Sequence, residues 1–152
     1  MTKKQIIGRW TAVLLWAGFI FFMSSRDATQ LGEGVFDEVS RMLATFLNDI
    51  FGYHDDPVSP FAHFCEYTIL SLLVIHAFHA SIPHLPKAIA CSTAGIGLYA
   101  LSDEIHQLFV PGRFCDPADW MVDLSGALFG AVIFCCASYL YHRYRSHKKI
   151  SV

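Results

Sequence analysis

"IIGRWTAVLLWAGFIFFM", residues 6–23, decides what kind of protein this chain makes. The run is apolar except for Arg9 and Thr11. A helix rises about 1.5 Å per residue, so about 20 residues cross a hydrocarbon core of about 30 Å. A signal peptide is the competing reading, because Lys3 and Lys4 precede the run. Its length, its Trp and Phe content and the lack of a following small-x-small cleavage site favour a span. Three more apolar blocks follow, at about Phe61–Ile82, Lys87–Phe109 and Trp120–Tyr141. The composition agrees: 54% hydrophobic, 14% aromatic and only 16% charged. Soluble domains carry about 25% charge. The expected fold is an all-α membrane protein. Four transmembrane helices form an antiparallel bundle, and one domain covers residues 1–152.

Charge sets the orientation. With a cytoplasmic N-terminus, the inner side carries Lys3, Lys4, Arg9, Lys87, Arg143, Arg145, Lys148 and Lys149. The outer side carries Arg26, Arg41 and Arg113. The positive-inside rule favours this arrangement, with both termini cytoplasmic. Every Asp and Glu then falls on the outer side or in the outer helix ends, a separation that the net charge of −2 conceals. The tail "YHRYRSHKK" reads as an inner anchor at lipid headgroups, so no nucleic-acid partner is expected. His76, His79 and His84 lie near the inner end and read as interface residues.

Residues 24–60 form the long extramembrane segment. Leu31, Val35, Val39, Met42 or Leu43, Phe46, Leu47 and Ile50 recur at helical spacing, with Glu33, Asp37, Glu38, Arg41 and Asn48 opposite. This predicts an extracytoplasmic amphipathic helix between the first two spans, lying on the outer surface or capping the bundle. Gly52 ends it, and Pro57 and Pro60 break the chain before the second span. "VPGRFCDP" is the outer turn between spans three and four, with Asp116 as N-cap and Pro117 at the first helical position. Gly126 and Gly130, with Ala127 and Ala131 beside them, favour a close helix contact. Packing within the chain is preferred over a homo-oligomer through the fourth span. The five cysteines show no metal-type CxxC spacing and no disulfide framework. The topology allows an outer Cys65–Cys115 bridge, but free thiols are the expected state.

The remaining charge is concentrated. His63 and Glu66 are three apart on the second span and share a face. Asp103, His106 and Gln107 share a face on the third, with Glu104 offset by about 100°. Asp119 and Asp123 are four apart on the fourth. Arg113 hangs above them, and Ser24, Ser25 and Arg26 close the first span at the same level. A charge at a bilayer centre costs roughly 2.5–3.5 kcal/mol on insertion scales. Asp116 and Asp119 also suit plain helix starts. Glu66 and Asp103 lie a turn or more inside, where capping fails as an explanation. Two uses fit the cluster. Crowded carboxylates with His63 can divide general acid and base roles, with Arg113 holding an anion. The same groups can recognise a headgroup without changing it. HxxE with DExHQ is not a standard metal pattern, so no metal is assigned and the cofactor stays unknown.

Four motifs carry a resemblance: "FFMSS" at 21–25, "HFCEYTIL" at 63–70, "DEIHQLFVPGR" at 103–113 and "DWMVDLSGALFG" at 119–130. In these the chain resembles the VanZ-like membrane proteins. The resemblance implies a small multi-pass protein of the bacterial cytoplasmic membrane. The name-giving member is associated with resistance to teicoplanin-type lipoglycopeptide antibiotics. The implied partners are membrane lipids or lipid-linked envelope intermediates. The matching polar positions are Ser24 and Ser25, then His63, Glu66 and Tyr67, then Asp103, Glu104, Gln107 and Arg113, and finally Asp119 and Gly126. Pro60 stands where the pattern has a basic residue, and Asp123 where it has asparagine. The expected catalytic candidates are Glu66, Asp103, Glu104 and His63. The expected substrate-binding residues are Arg113, Gln107, Tyr67, Asp119, Asp123, Ser24 and Ser25.

Overall fold

Helix signals in the sequence become five helices among the described residues. The structure is a computed structural model that describes residues 2–26, 35–53 and 57–150. In chain order these are α1 (Lys3–Ser24), α2 (Val35–Phe51), α3 (Val58–Ser81), α4 (Leu85–Gln107) and α5 (Pro117–Ile150). Among the described residues there is no strand. Thr2 starts α1 with a capping box: its hydroxyl accepts from Gln5 N at 3.4 Å, and Gln5 Oε1 accepts from Thr2 N at 3.0 Å. Asp116 starts α5 as expected, its Oδ1 accepting from Ala118 N at 2.8 Å. Gly52 follows α2 at φ +90°, and Gly112 turns the chain after α4 at φ 77°. Both lie in the left-handed region that glycine reaches without a Cβ clash.

α1, α3 and α5 are long and apolar enough to cross a membrane. α4 has the length, but Lys87, Asp103, Glu104 and several small polar residues dilute its apolar character. α1, α3 and α5 each begin three residues before the expected blocks and α4 two. Pro60 therefore lies within the first turn of α3 and not ahead of it. Two ends differ as well. The third block was expected to run to Phe109, but its helix stops at Gln107. There the chain tightens into turns in which Phe109 N donates to His106 O and Val110 N to Gln107 O. The fourth helix continues nine residues beyond Tyr141, to Ile150, because nothing in the basic tail breaks it. α2 packs against α3. Leu47 is buried, while Val39, Met42, Phe46 and Ile50 stay exposed in a stripe. The expected positions Leu31 and Glu33, and the side chains of Val35 and Asp37, lie outside the described residues.

α3 is the central helix. It touches every other helix and packs most extensively on α5. The contacts run in opposite order along α1 and α3, pairing Arg9 with His76, Trp10 with Phe78 and Trp16 with Glu66. Along α3 and α5 they rise together, from Phe64 and Gly126 to His79 and Phe134. Polar side chains tie the helices to each other's backbone. Ser71 Oγ donates to Ala127 O at 2.7 Å, Tyr99 Oη to Ala17 O at 2.6 Å and Trp16 Nε1 to Glu66 O at 2.9 Å. Such bonds hold helices together where lipid offers no polar partner. The outward faces are apolar, with Leu14, Leu98, Leu128 and Val132 all more than half exposed.

The α3–α5 contact is backbone to backbone. A Cβ on Gly126 would sit 2.5 Å from Phe64 O, and one on Gly130 would sit 2.6 Å from Thr68 O. The small-residue stripe is therefore used within the chain. Gly95, by contrast, has nothing within 4 Å of a Cβ. Gly126→Val should cost at least about 1–3 kcal/mol, the usual penalty of overpacking. Gly95→Ala should leave stability unchanged or raise it by up to about 1 kcal/mol, because Ala is the better helix former. Thermal unfolding of the detergent-purified protein, followed by size-exclusion chromatography, measures both. Equal melting curves for the two variants would refute the close contact.

Candidate functional site

Three spacings converge at the end of the bundle away from the basic residues. α3 contributes His63, Glu66 and Tyr67. α4 contributes Asp103, Glu104 and Gln107, and α5 contributes Asp119 and Asp123. Asp103, Glu104 and Gln107 are each no more than 2% exposed, and Tyr67 and Asp123 are fully buried. Glu66, Arg113 and Asp119 are half-buried at the rim.

His63 Nδ1 lies 3.0 Å from Asp123 Oδ1. A carboxylate only accepts, so the imidazole donates and its Nδ1 carries the proton. This orients the ring and leaves Nε2 as the second nitrogen for proton exchange. Asp119 and Glu66 lie close enough to His63 to act on its charge. Glu66 in turn feels His63, Asp103, Asp123 and Arg113. The groups therefore form one electrostatic unit, although they come from three helices and a turn.

Not every expected residue points its chemistry at the same place. Glu104 Oε2 accepts from Asp116 N at 2.9 Å. One of its oxygens is thus committed to pinning the α4–α5 turn, which explains why a residue offset from the Asp103 face is nevertheless buried. Gln107 Nε2 donates to the hydroxyl of buried Ser24 at 3.3 Å, joining α1 to α4. Ser25 is exposed. Its hydroxyl donates to Phe21 O at 2.6 Å and lies 3.0 Å from His106 Nε2. His106 stacks on Phe21 with ring centroids 4.4 Å apart. His106 was not among the expected site residues. Its partner is 81 positions away, a contact that no spacing within α4 reveals.

Six buried polar atoms here have no hydrogen-bond partner among the described residues. They are Asp103 Oδ1 and Oδ2, Glu104 Oε1, Asp123 Oδ2, Tyr67 Oη and Arg113 Nε, although Ser24 and Gln107 lie close enough to the Asp103 carboxylate to act on it as donors. Native interiors rarely leave such atoms unpaired. No three His, Cys, Asp or Glu side chains among the described residues converge as metal ligands. Cys65 and Cys115 are free thiols, as are the other cysteines. Two surface grooves lie at the basic end, one of about 340 Å³ lined by Arg9, Leu73 and His76, the other along the α5 tail. Neither touches the polar cluster.

The model of the VanZ/LLP1 family matches residues 9–139, which hold every motif of the cluster. The chain belongs to the VanZ/LLP1 family. With its long apolar helices, it is a VanZ-like membrane protein. No curated protein and no solved structure matches it. Asp123 is the residue that holds His63.

That pair makes a stability prediction. Removing one member of a buried pair leaves a buried charge uncompensated and costs about 3–5 kcal/mol. His63→Leu should therefore destabilise the protein far more than Asp123→Asn, which keeps a hydrogen-bonding oxygen for the ring. The double variant His63→Leu/Asp123→Leu should recover much of the loss. A double-mutant cycle of denaturant unfolding in micelles checks this, and additive single effects would show that the two groups are not coupled.

Proposed function

We propose that this protein receives the polar headgroup of a cell-envelope lipid or lipid-linked glycan in the outer leaflet of the bacterial cytoplasmic membrane. In this reading α1, α3, α4 and α5 are four antiparallel spans with both termini cytoplasmic. α2 lies on the outer surface with its exposed apolar stripe in lipid. One observation carries the reading: buried polar atoms from α3, α4, α5 and the α4–α5 turn converge without partners near one end of the bundle. In a bilayer such groups mark binding sites and pathways, because each unsatisfied group is costly. A headgroup arriving from the adjacent leaflet supplies the missing partners.

A second reading, catalysis, is favoured by the His63–Asp123 contact. An imidazole oriented by a carboxylate suits a general base, with Glu66 or Asp103 as proton donor and Arg113 as anion clamp. The protein would then be a hydrolase or transferase of envelope lipids. Without catalysis, the same site would hold or mask a lipid or a lipoglycopeptide. Either mode would connect this chain to teicoplanin-type resistance only if it changes how the antibiotic meets the envelope.

The topology has a direct test. Cys115 is exposed in the α4–α5 turn. A variant whose sole cysteine is Cys115 should react with a membrane-impermeant maleimide in intact cells, and a variant whose sole cysteine replaces Ser146 should react only after lysis. The reverse pattern would invert the protein.

For function, Glu66→Gln and Asp103→Asn should insert normally yet erase any lipid difference between expressing and non-expressing cells. Comparative lipidomics reads a new or depleted species as chemistry. A lipid that copurifies unchanged is read as binding. Variants that keep the full wild-type lipid profile would remove these two carboxylates from the site.

A further inference from the structure

The basic end of the bundle carries charge without counter-charge. α1 contains no acidic residue and holds Lys3, Lys4 and Arg9 in its first two turns. The only acidic residue of α3 is Glu66, those of α4 are Asp103 and Glu104, and those of α5 are Asp119 and Asp123. All of these belong to the polar cluster in the opposite half. Arg9 is half-buried and lies well inside α1, so it is the cation at this end that most needs an anion.

Its side chain runs sideways. An arginine near the end of a span ordinarily snorkels along its own helix to the headgroups. Arg9 instead crosses to α3, where Nη1 donates to His76 O at 2.8 Å. That carbonyl is its one hydrogen-bond partner among the described residues, and the rest of its fork of N–H donors is left for another acceptor. The guanidinium stands in a groove of about 340 Å³ between α1 and α3, lined by Gln5, Gly8, Arg9, Ala12, Leu73 and His76. Sites for small ligands have about 300–1,000 Å³, so a headgroup with its first acyl carbons fits this volume. The α1 wall is shallow because Gly8 and Ala12 face the groove one turn apart, and a Cβ on Gly8 would meet nothing within 4 Å.

Depth and charge select the occupant. By helical rise Arg9 lies roughly 9 Å from the start of α1, and His76 roughly 8 Å from the end of α3. Trp10, beside Arg9, packs edge-on against Phe78 with ring centroids 5.1 Å apart. Tryptophan at such a level marks the headgroup region of a membrane. The groove therefore opens where lipid phosphates lie, and Ala12 and Leu73 continue it toward the bilayer core. A phosphodiester matches the planar fork of Arg9. Gln5 adds its amide N–H donors, since its Oε1 is taken by Thr2 N at 3.0 Å. A choline or ethanolamine ammonium would meet Lys3, Lys4 and Arg9 with no carboxylate beside them. A headgroup whose remaining groups are neutral hydroxyls brings the phosphate without that repulsion.

We propose that the α1–α3 groove holds an anionic phospholipid from the leaflet at the basic end, with its phosphodiester on Arg9 and the upper part of an acyl chain against Gly8, Ala12 and Leu73. The lipid bridges the two helices through the arginine that already joins them. This site is separate from the polar cluster at the opposite end and does not depend on what that cluster receives.

The test uses the purified full chain in mixed micelles with phosphatidylglycerol or phosphatidylcholine of identical acyl chains, with retained lipid measured by native mass spectrometry. Wild-type protein should retain phosphatidylglycerol about ten-fold better, the size expected for one hydrogen bond between charged groups. Arg9→Gln should abolish that preference. Gly8→Leu fills the groove without altering a charge and should abolish it too. Lys3→Gln/Lys4→Gln changes the helix end and not the groove, and should keep most of it. Glycerophosphoglycerol, the same headgroup without chains, should not displace the lipid at equal concentration. Equal retention of the two lipids by wild-type protein overturns the proposal, as does a preference that survives Arg9→Gln or Gly8→Leu. A preference lost equally in the lysine double variant would assign it to the helix end and overturn the groove. Displacement by glycerophosphoglycerol would make this a site for a soluble phosphodiester instead. Should Arg9→Gln fail to fold, Gly8→Leu decides, since its Cβ enters open space.

Discussion

Everything at the polar end depends on how closely α5 approaches α3. At Gly126 the two backbones meet so tightly that a single added carbon would fall 2.5 Å from Phe64 O. One turn before Gly126 on α5 is Asp123, and one position before Phe64 on α3 is His63. Because the two helices rise together along their contact, a fixed Gly126–Phe64 approach leaves Asp123 and His63 at hydrogen-bonding distance, 3.0 Å. The small residues therefore set more than packing. They set the separation across which a buried imidazole and a buried carboxylate must meet. Thr68 and Ser71 reinforce the same seam by bonding to Gly126 O at 3.1 Å and Ala127 O at 2.7 Å.

A bundle built this way separates its charges along its length. Lys3, Lys4 and Arg9 lie at the end where Arg9 Nη1 reaches His76 O at 2.8 Å, and the acidic groups lie at the opposite end of α3. Between them runs an apolar core that includes Val13, Leu70, Val74, Ile96 and Ala127. That middle layer packs the helices together, with Ser71, Tyr99 and Trp16 bonding across it. The polar end is thereby free to be poorly satisfied. Functional sites are where a chain tolerates unpaired groups that the rest of the fold compensates.

Much of this was legible in the sequence. Apolar blocks at the right length announced the helices, and the one-turn spacings in α3, α4 and α5 placed His63, Glu66, Asp103, Gln107 and Asp123 on inward faces. Helical period is a local property, so local sequence carries it. The pairings were not legible in the same way. Nothing near His106 indicates Ser25, and nothing near Glu104 says that one of its oxygens is spent on Asp116 N. These depend on which helix lies beside which, and that depends on the whole packing. The apolar reading of α4 is instructive for a related reason. Its inward face mixes Ser92, Asp103, Glu104 and Gln107 with Ala88, Ile96 and Ala100. A helix that builds a polar site loses the very hydropathy by which a span is recognised.

Asp123 sharpens what the family resemblance alone would leave open. An asparagine at this position would offer His63 one neutral acceptor and add no charge. The aspartate adds a formal charge, and only one of its oxygens is used by the ring, with Oδ2 left unpartnered in the same buried space as Asp103. The substitution therefore does two things at once. It strengthens the hold on His63, since hydrogen bonds to an ionised acceptor are roughly twice as strong as neutral ones. It also adds one formal negative charge to the buried cluster. The residue that follows DWMV in this chain therefore sets both the geometry of the imidazole and the formal charge buried around it.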